Sequence, residues 1–329
     1  IYELEIEFIG NKINDPVNKD AFKLRQEYTI VKDKDAYINN IFGGFFKYIG
    51  ILLQSIQDSF YIMNNTEIMQ TIASYVKLTG KTRQDRLLFF GPLPIDLDKN
   101  KCIQLPDNAY SDMVRVYGAG NILLDYCVTD KSDGIRNLLY IDPDGECFMI
   151  GRDSITIVKK VGIRISGWAN SVFDGEYLEY DTTNKYLNKY MIFDAYFVKG
   201  KNIMLSEFGD GRTNMDESRY GAIVELTKQI ATGTGIIIAS DKLHFKIDKK
   251  NFLFGELSTT APDKRNYTLI FQQSAKLLDK MNVEFGGTLE EGNLYSYKTD
   301  GLIYTPIRLG VYQNIPAKLM DDTEKRKTQ

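Results

Sequence analysis

The sequence predicts an α+β fold in which a mostly helical segment precedes a region of antiparallel strands. Between residues 18 and 78, apolar residues recur at three- and four-residue intervals, most clearly in 51–61 and 68–76. This spacing is typical of amphipathic helices. After Gly91-Pro92-Leu93-Pro94, short apolar or alternating runs bounded by turn residues take over. Helices followed by a run of strands favour the α+β class.

The helical segment carries its own start and stop signals. Thr66-Glu67, which follows Asn64-Asn65, predicts a helix cap, and Gly80 predicts the end of the same helix. Gly43-Gly44 is expected to interrupt the earlier helical pattern, because glycine is a poor helix former. The segment is therefore expected to be broken rather than continuous.

The strands and helices of the second region follow one another along the chain. Strands are predicted at 121–129, 136–141, 146–150, 177–180, 190–198, 236–239, 242–247 and 302–304, and helices at 219–229 and 268–280. Asp142-Pro143-Asp144-Gly145 predicts the turn between the second and third strands, and Asp174-Gly175 predicts another turn, after which Glu176 begins a strand. The predicted domains are a terminal strand at 1–12, a mostly helical connecting segment at 13–85, a strand-rich domain at 86–312 and a charged tail at 313–329.

Composition narrows the chemistry that the chain can perform. The net charge of −3 over 329 residues provides no general basic field, so any nucleic-acid contact must be local. Cys102, Cys127 and Cys147 are odd in number and lack metal-site spacing, which favours a reducing, intracellular setting. His244 is the only histidine, which argues against a Ser-His-Asp or Cys-His mechanism. We recognise no signal peptide and no apolar run of membrane-spanning length, so no membrane partner is expected.

A lysine-centred motif after a predicted strand is the strongest candidate for chemistry. Lys131-Ser132-Asp133-Gly134-Ile135-Arg136 reads Lys-x-Asp-Gly-x-Arg. A deprotonated lysine amine can attack the α-phosphorus of a nucleoside triphosphate and form a P–N bond. Gly134 is expected to allow a sharp turn, and Arg136 offers a rigid fork of donors for ribose or phosphate oxygens. The alternative is an exposed lysine in an Asp-Gly turn.

Three further motifs follow the lysine motif in order. They are Phe173-Asp174-Gly175-Glu176, Tyr190-Met191-Ile192-Phe193-Asp194-Ala195 and Lys298-Thr299-Asp300-Gly301-Leu302-Ile303-Tyr304. The set resembles the covalent nucleotidyltransferase superfamily of mRNA capping guanylyltransferases and polynucleotide ligases. Within it, residues 126–136 and 2–8 resemble the multifunctional capping enzymes of large nucleocytoplasmic DNA viruses such as African swine fever virus and mimivirus.

The resemblance implies a nucleotidyltransferase fold, with antiparallel sheets around a nucleotide cleft, and roles for single residues. The implied roles are Lys131 as nucleophile, Arg136 and Arg152 at the ribose, Phe193 stacked on the purine, Lys298 toward the base edge or phosphate, Glu176 at a ribose hydroxyl or a metal ion, and Asp300 at the metal ion. The alternatives are a solvated Glu176 after an Asp-Gly turn, a core position for Phe193 and a surface pair between Lys298 and Asp300.

The resemblance also implies substrates and partners. It implies GTP as substrate, Mg²⁺ or Mn²⁺ as cofactor, and the 5′-diphosphate end of nascent mRNA as acceptor. It further implies RNA triphosphatase and methyltransferase modules in the same parent chain, and a location in the viral factories of the host cytoplasm or in the virion. An ATP-dependent DNA or RNA ligase and a non-catalytic nucleotidyltransferase-like scaffold are the alternatives.

Two features of the resembling family are missing from this sequence. No Lys-x-Lys motif in a strand-like run follows Asp300-Gly301-Leu302-Ile303-Tyr304, since Lys325-Arg326-Lys327 lies in the polar tail, and the C-terminal OB-fold is absent. We therefore expect the chain to be a fragment of a larger enzyme. Glu3, Glu5 and Glu7 alternate with apolar residues and so share one face of a predicted strand. This strand resembles the last strand of an RNA triphosphatase tunnel, but one strand cannot form a tunnel.

Overall fold

The computed structural model describes nine stretches of the chain, which form two compact units. The stretches are 32–57, 59–80, 91–97, 99–102, 121–151, 158–211, 217–239, 245–281 and 295–311. The units are Ile1–Ile62 and Met63–Gln329. The terminal strand predicted at 1–12, the boundary predicted at 85/86, Arg152, His244 and the tail at 313–329 lie outside the described residues.

The first unit contributes one long helix, α1 (Lys34–Gln57). The helix continues through Gly43 and Gly44, so the predicted interruption is wrong. A glycine inside a helix costs about 1 kcal/mol relative to alanine, which weakens a 24-residue helix without ending it. Among the described residues, no helix is long and apolar enough to cross a membrane.

The second unit begins with α2 (Asn65–Thr79), which ends at the predicted Gly80 but is capped by Asn64, two residues before the predicted Thr66. The Asn64 side chain accepts a hydrogen bond from the Glu67 backbone N–H at 2.9 Å. The Glu67 carboxylate in turn accepts one from the Asn64 N–H at 3.4 Å, which completes a capping box. Gly80 ends the helix with φ +68°, a left-handed conformation that favours glycine.

Eleven strands and two more helices complete the described part of the second unit. They are β1 (Tyr126–Ser132), β2 (Ile135–Ile141), β3 (Glu146–Gly151), β4 (Val158–Ile165), β5 (Ser171–Tyr180), β6 (Tyr186–Val198), β7 (Lys201–Asn202), α3 (Arg219–Thr232), β8 (Ile236–Ile238), β9 (Lys246–Lys249), β10 (Leu253–Phe254), α4 (Leu269–Met281) and β11 (Thr299–Pro306). The predicted helices at 219–229 and 268–280 are confirmed as α3 and α4.

The strands form two sheets. The larger has eight strands in the order β7-β6-β5-β2-β3-β4-β8, with β9 paired in parallel to β6. The smaller has the order β10-β1-β11, and both of its pairings are antiparallel. β1 and β2 are consecutive in sequence but belong to different sheets, so the lysine motif lies where the chain passes from one sheet to the other.

The larger sheet is covered on both faces, as the alternation of β2 shows. Leu138 and Tyr140 pack in a cluster with Tyr75 of α2, while Leu139 and Ile141 pack in the main core with residues of α3. This two-residue periodicity explains why β2 is apolar along most of its length. On the smaller sheet, residues of β1 pack against α4. The observed class is α+β, as the sequence predicts.

One predicted turn is a strand interior. The sequence predicts that Asp174-Gly175 turns and that Glu176 begins a strand, but β5 runs from Ser171 to Tyr180 through all three residues. A Cβ atom built on Gly175 would lie 2.5 Å from the Tyr190 ring. Gly175 is therefore explained by the close approach of this ring and not by a turn.

Candidate active site

Lys131 and Asp300 are brought together by the pairing of β1 with β11. The Nζ atom of Lys131 donates to Oδ2 of Asp300 at 2.5 Å, and the two side chains are 44% and 48% exposed. Lys131 is opposite Gly301 and Ser132 is opposite Thr299, so Asp300 is the extra residue of a β-bulge. A bulge can redirect a side chain, and this one lies at the predicted nucleophile.

The connection between β1 and β2 lies close to Lys298 and to strand β5. The Asp133 N–H donates to the carbonyl oxygen of Lys298 at 2.9 Å. A Cβ atom on Gly134 would lie 2.6 Å from the carbonyl oxygen of Tyr177 and 2.8 Å from Cγ of Glu176. Gly134 is not among the glycines with positive φ. The reason for this glycine is thus close approach to β5, and the predicted conformational freedom is not what the structure uses.

Glu176 lies beside this connection and has a perturbed carboxyl group. Its pKa rises to about 7, mainly because of burial. The positive charge of Lys250 opposes this rise, as do the charge of Arg136 and a hydrogen bond from the Gly134 backbone. The negative charge of Asp174 adds to the rise. A buried carboxylate among charged groups is typical of functional sites.

Replacing Glu176 with glutamine should flatten the pH dependence of stability. The folded-state pKa of about 7 lies above the ordinary 4.5, so the folded state keeps a proton that the unfolded state has lost. Stability should therefore fall by roughly 3 kcal/mol as pH rises from about 4.5 to about 7. Urea unfolding in the presence of a chelator measures this loss, which Glu176→Gln should remove. The exposed Glu225→Gln serves as the control, and equal pH dependence in both variants would contradict the assignment.

Arg136 lies on β2, and a buried carboxylate holds its guanidinium. Nε and Nη2 donate to Oδ1 and Oδ2 of Asp174 at 3.1 and 2.5 Å, and Nη1 donates to the carbonyl oxygen of Pro92 at 2.8 Å. Asp174 is completely buried and also accepts from the Tyr196 hydroxyl at 2.5 Å. Burial raises the pKa of Asp174, and its bonds to Arg136 and Tyr196 oppose this shift. Asp174 thus orients Arg136, whose predicted ribose contact stays a prediction.

Phe193 lies beside Arg136 at a second β-bulge. Ile192 is opposite Gly175 and Asp194 is opposite Asp174, so Phe193 is the extra residue of β6. Its ring is partly buried, and the Arg136 guanidinium carbon lies 5.4 Å from the ring centroid. This distance permits a cation–π contact that fixes the ring. Phe193 both packs against the core and keeps an exposed part, so the two predicted roles are compatible.

Lys298 and Arg152 are the two remaining predicted site residues. Lys298 is exposed and immediately precedes β11, which begins at Thr299. The two-residue spacing in the sequence predicts that Lys298 and Asp300 share a strand face, but Lys298 precedes the strand and Asp300 is its bulge residue. Arg152 lies outside the described residues, so its predicted role is untested.

A buried polar cluster that no sequence motif marks lies behind Lys131. Asp130 is completely buried, and the amine of Lys250 donates to its carboxylate. The same amine lies 4.9 Å from the centroid of the Tyr297 ring. In the sequence, Lys249-Lys250-Asn251 has the composition of a solvated loop, so only the fold distinguishes Lys250 from its neighbour.

The predicted site residues include carboxylates of the kind that bind hard divalent cations. Mg²⁺ in nucleotide sites is typically bound by one or two carboxylates, with substrate phosphates and water completing its shell. Glu176 and Asp300 provide two carboxylates, although no group of three or more metal-ligating residues occurs in the part of the chain that the structure describes. Because Asp300 is bonded to Lys131, a cation at Asp300 would compete with the lysine ammonium.

Comparisons with known proteins place this geometry in context. Residues 122–278 match the family model described as mRNA capping enzyme, catalytic domain. The matched segment includes Lys131, Arg136, Glu176 and Phe193 and ends before Asp300. The match covers just under half of the chain and agrees with the resemblance that the sequence motifs carry. No curated protein matches the sequence.

Solved structures also include a match to the crystal structure of the ligase domain of LigD from M. tuberculosis. The identity is 13% and the TM-score is 0.28, and the match covers 57% of this chain and 51% of that chain. The chain thus spans about half the length of that ligase domain.

Proposed function

We propose that this chain, whose residues 122–278 match the catalytic domain of mRNA capping enzymes, is a guanylyltransferase that forms a covalent lysyl-GMP intermediate. The observation that carries the proposal is the position of Lys131. It is the penultimate residue of the central strand of the smaller sheet, its side chain is about half exposed, and a bulged carboxylate from the neighbouring strand accepts a hydrogen bond from its amine. A nucleophilic lysine requires such accessibility and a partner that orients it.

The proposed reaction has two steps. In the first, the deprotonated Nζ of Lys131 attacks the α-phosphorus of GTP, a P–N bond forms, the amine loses one proton to solvent, and the bond to the leaving pyrophosphate breaks. In the second, a β-phosphate oxygen of 5′-diphosphate RNA attacks the same phosphorus, and the P–N bond breaks as the lysine nitrogen takes up a proton from solvent. Bound Mg²⁺ or Mn²⁺ would neutralise charge on the phosphates.

The residues around Lys131 have separable tasks in this reaction. Asp300 accepts a hydrogen bond from Nζ and so orients the amine before attack. Phe193, fixed by Arg136, offers a π-face to the purine. The Glu176 carboxylate can accept a hydrogen bond from a ribose hydroxyl or bind the cation. The proposed divalent site consists of Glu176 and Asp300.

GTP should be preferred to ATP as the nucleotide that labels the chain. Stacking on Phe193 cannot discriminate between purines, so a preference requires hydrogen bonds to the base edge. Lys298 is the proposed donor to the guanine carbonyl, and its loss should reduce the preference by about tenfold or more. The measurement is a competition between GTP and ATP for covalent labelling, with Lys298→Met compared with Lys201→Met, a change at another exposed lysine.

The competition also separates the proposal from its alternatives. Better labelling by ATP would identify a ligase-type adenylyltransferase. Labelling by neither nucleotide would contradict the proposed activity for this chain. Transfer of GMP from the labelled chain to 5′-diphosphate RNA, but not to 5′-monophosphate RNA, is the result expected for a capping enzyme.

A further inference from the structure

We infer that Lys250 is a positioning residue. With Asp130 and Tyr297 it forms a buried polar clamp that sets the spacing between Lys131 on the smaller sheet and Phe193 on the larger one. The inference rests on the proposed nucleotidyl transfer, because it concerns the geometry of that site. Lys250 itself is 2% exposed, so it acts through its neighbours and does not contact the nucleotide.

The clamp joins the strands that carry the nucleophile and its carboxylate partner. The Lys250 amine donates to the carboxylate of Asp130, the residue immediately before Lys131. It also lies 3.4 Å from the Asp130 carbonyl oxygen. The Tyr297 ring centroid lies 4.9 Å from the same amine, and Tyr297 lies three positions before Asp300. A residue just before β11 and a residue near the end of β1 thus both contact the same ammonium group.

The same residue is attached to the larger sheet beside the proposed base platform. The Lys250 backbone N–H donates to the carbonyl oxygen of Ile192 at 2.8 Å, and Ile192 immediately precedes Phe193. The Thr129 hydroxyl donates to the carbonyl oxygen of Asn251 at 2.9 Å, which adds a second link to β1. Residues 250 and 251 therefore bridge β1 and β6 directly.

The charges of the clamp explain why its effect should be specific. Lys250 is the only buried lysine among the residues that the structure describes, and an ammonium in this position requires its carboxylate partner. Burial lowers the pKa of Lys250, and the charges of Asp130 and Glu176 oppose this. Because the amine's bonds and ring contact involve the strands next to the site, loss of the amine should change their spacing.

Kinetics of lysyl-nucleotide formation test the inference. In Lys250→Met, the rate per folded molecule should fall about 100-fold, as expected when reacting groups are misplaced by about 1 Å. The concentration of GTP at half-maximal rate should change by less than about threefold, because the nucleotide contacts are untouched. Lys249→Met, a change at the adjacent and more exposed lysine, should leave both values unchanged.

A double variant distinguishes positioning from simple stabilisation. Lys250→Met with Asp130→Leu removes both charges and should restore folding, since an apolar pair can replace a buried ion pair. If Lys250 positions the site, the double variant folds but its labelling rate stays low. A rate that returns with stability, or a Lys250→Met rate per folded molecule equal to that of the unaltered chain, would overturn the inference.

A second readout applies if the unaltered chain forms no lysyl-nucleotide, which would defeat the proposed function but leave the clamp testable. Acetylation of each lysine by acetic anhydride, followed by peptide mass spectrometry, should find Lys250 protected. In Lys250→Met, the loosened contact between Lys131 and Asp300 should raise the acetylation rate of Lys131 severalfold, with Lys199 unchanged. An unchanged Lys131 rate would overturn the inference.

Discussion

Replacing Lys131 with alanine is expected to abolish covalent nucleotide labelling, with a loss of about 10³-fold or more, because the nucleophile itself is removed. Stability should change by less than about 1 kcal/mol, since the side chain is 44% exposed and its pair with Asp300 is solvated. The measurement is transfer of label from GTP to protein at saturating nucleotide and Mn²⁺ or Mg²⁺.

Two variants complete this prediction. Lys131→Arg should not restore labelling, because a guanidinium stays protonated and cannot attack. Lys199→Ala provides the matched control, since Lys199 is also half exposed and paired with a carboxylate, Glu225. It should label like the unaltered chain. Labelling of Lys131→Ala at the normal rate would exclude this residue as the nucleophile.

Replacing Arg136 with methionine is expected to lower the free energy of unfolding by about 3–5 kcal/mol. After the change, the buried Asp174 carboxylate keeps only one of its observed side-chain donors, the Tyr196 hydroxyl. Arg136 is 18% exposed at its side chain, so solvent screens the pair only weakly. Urea denaturation monitored by circular dichroism measures the effect.

The control for Arg136→Met is Lys199→Met, which removes a cation from an exposed pair. This change should alter stability by about 0.5 kcal/mol or less. Asp174→Asn should destabilise less than Arg136→Met, because it leaves no unpaired buried anion. Equal small effects for all three variants would show that the Arg136–Asp174 pair contributes little to the fold.

Much of the secondary structure could be predicted because the spacing of apolar residues in the sequence matches the residues that are buried in the fold. The end of α2 could be predicted from Gly80, and its start was missed by two residues because Asn64 and Thr66 are both suitable cap residues. The prediction at Gly43-Gly44 was wrong because helix propensity is a weak local preference that a long helix overrides. The Asp174-Gly175 turn was wrong because glycine serves close packing as well as turns.

The site was predictable in its residue types but not in its geometry. Lys131 and Asp300 are 169 positions apart, and only the register of β1 with β11 shows that they touch. The bulges at Asp300 and Phe193 depend on how two strands pair, which a two-residue pattern in one strand cannot reveal. Lys250 lacked any local signal, since its burial comes from long-range packing.

The most direct test of the central claim is intact-mass and peptide mass spectrometry of the chain after incubation with GTP and divalent metal. The account predicts a mass increase of one GMP residue, removed by acid as expected for a P–N bond, and mapped to the peptide that contains Lys131. An adduct on another lysine, or one stable to acid, would contradict the assignment of Lys131 as the nucleophile.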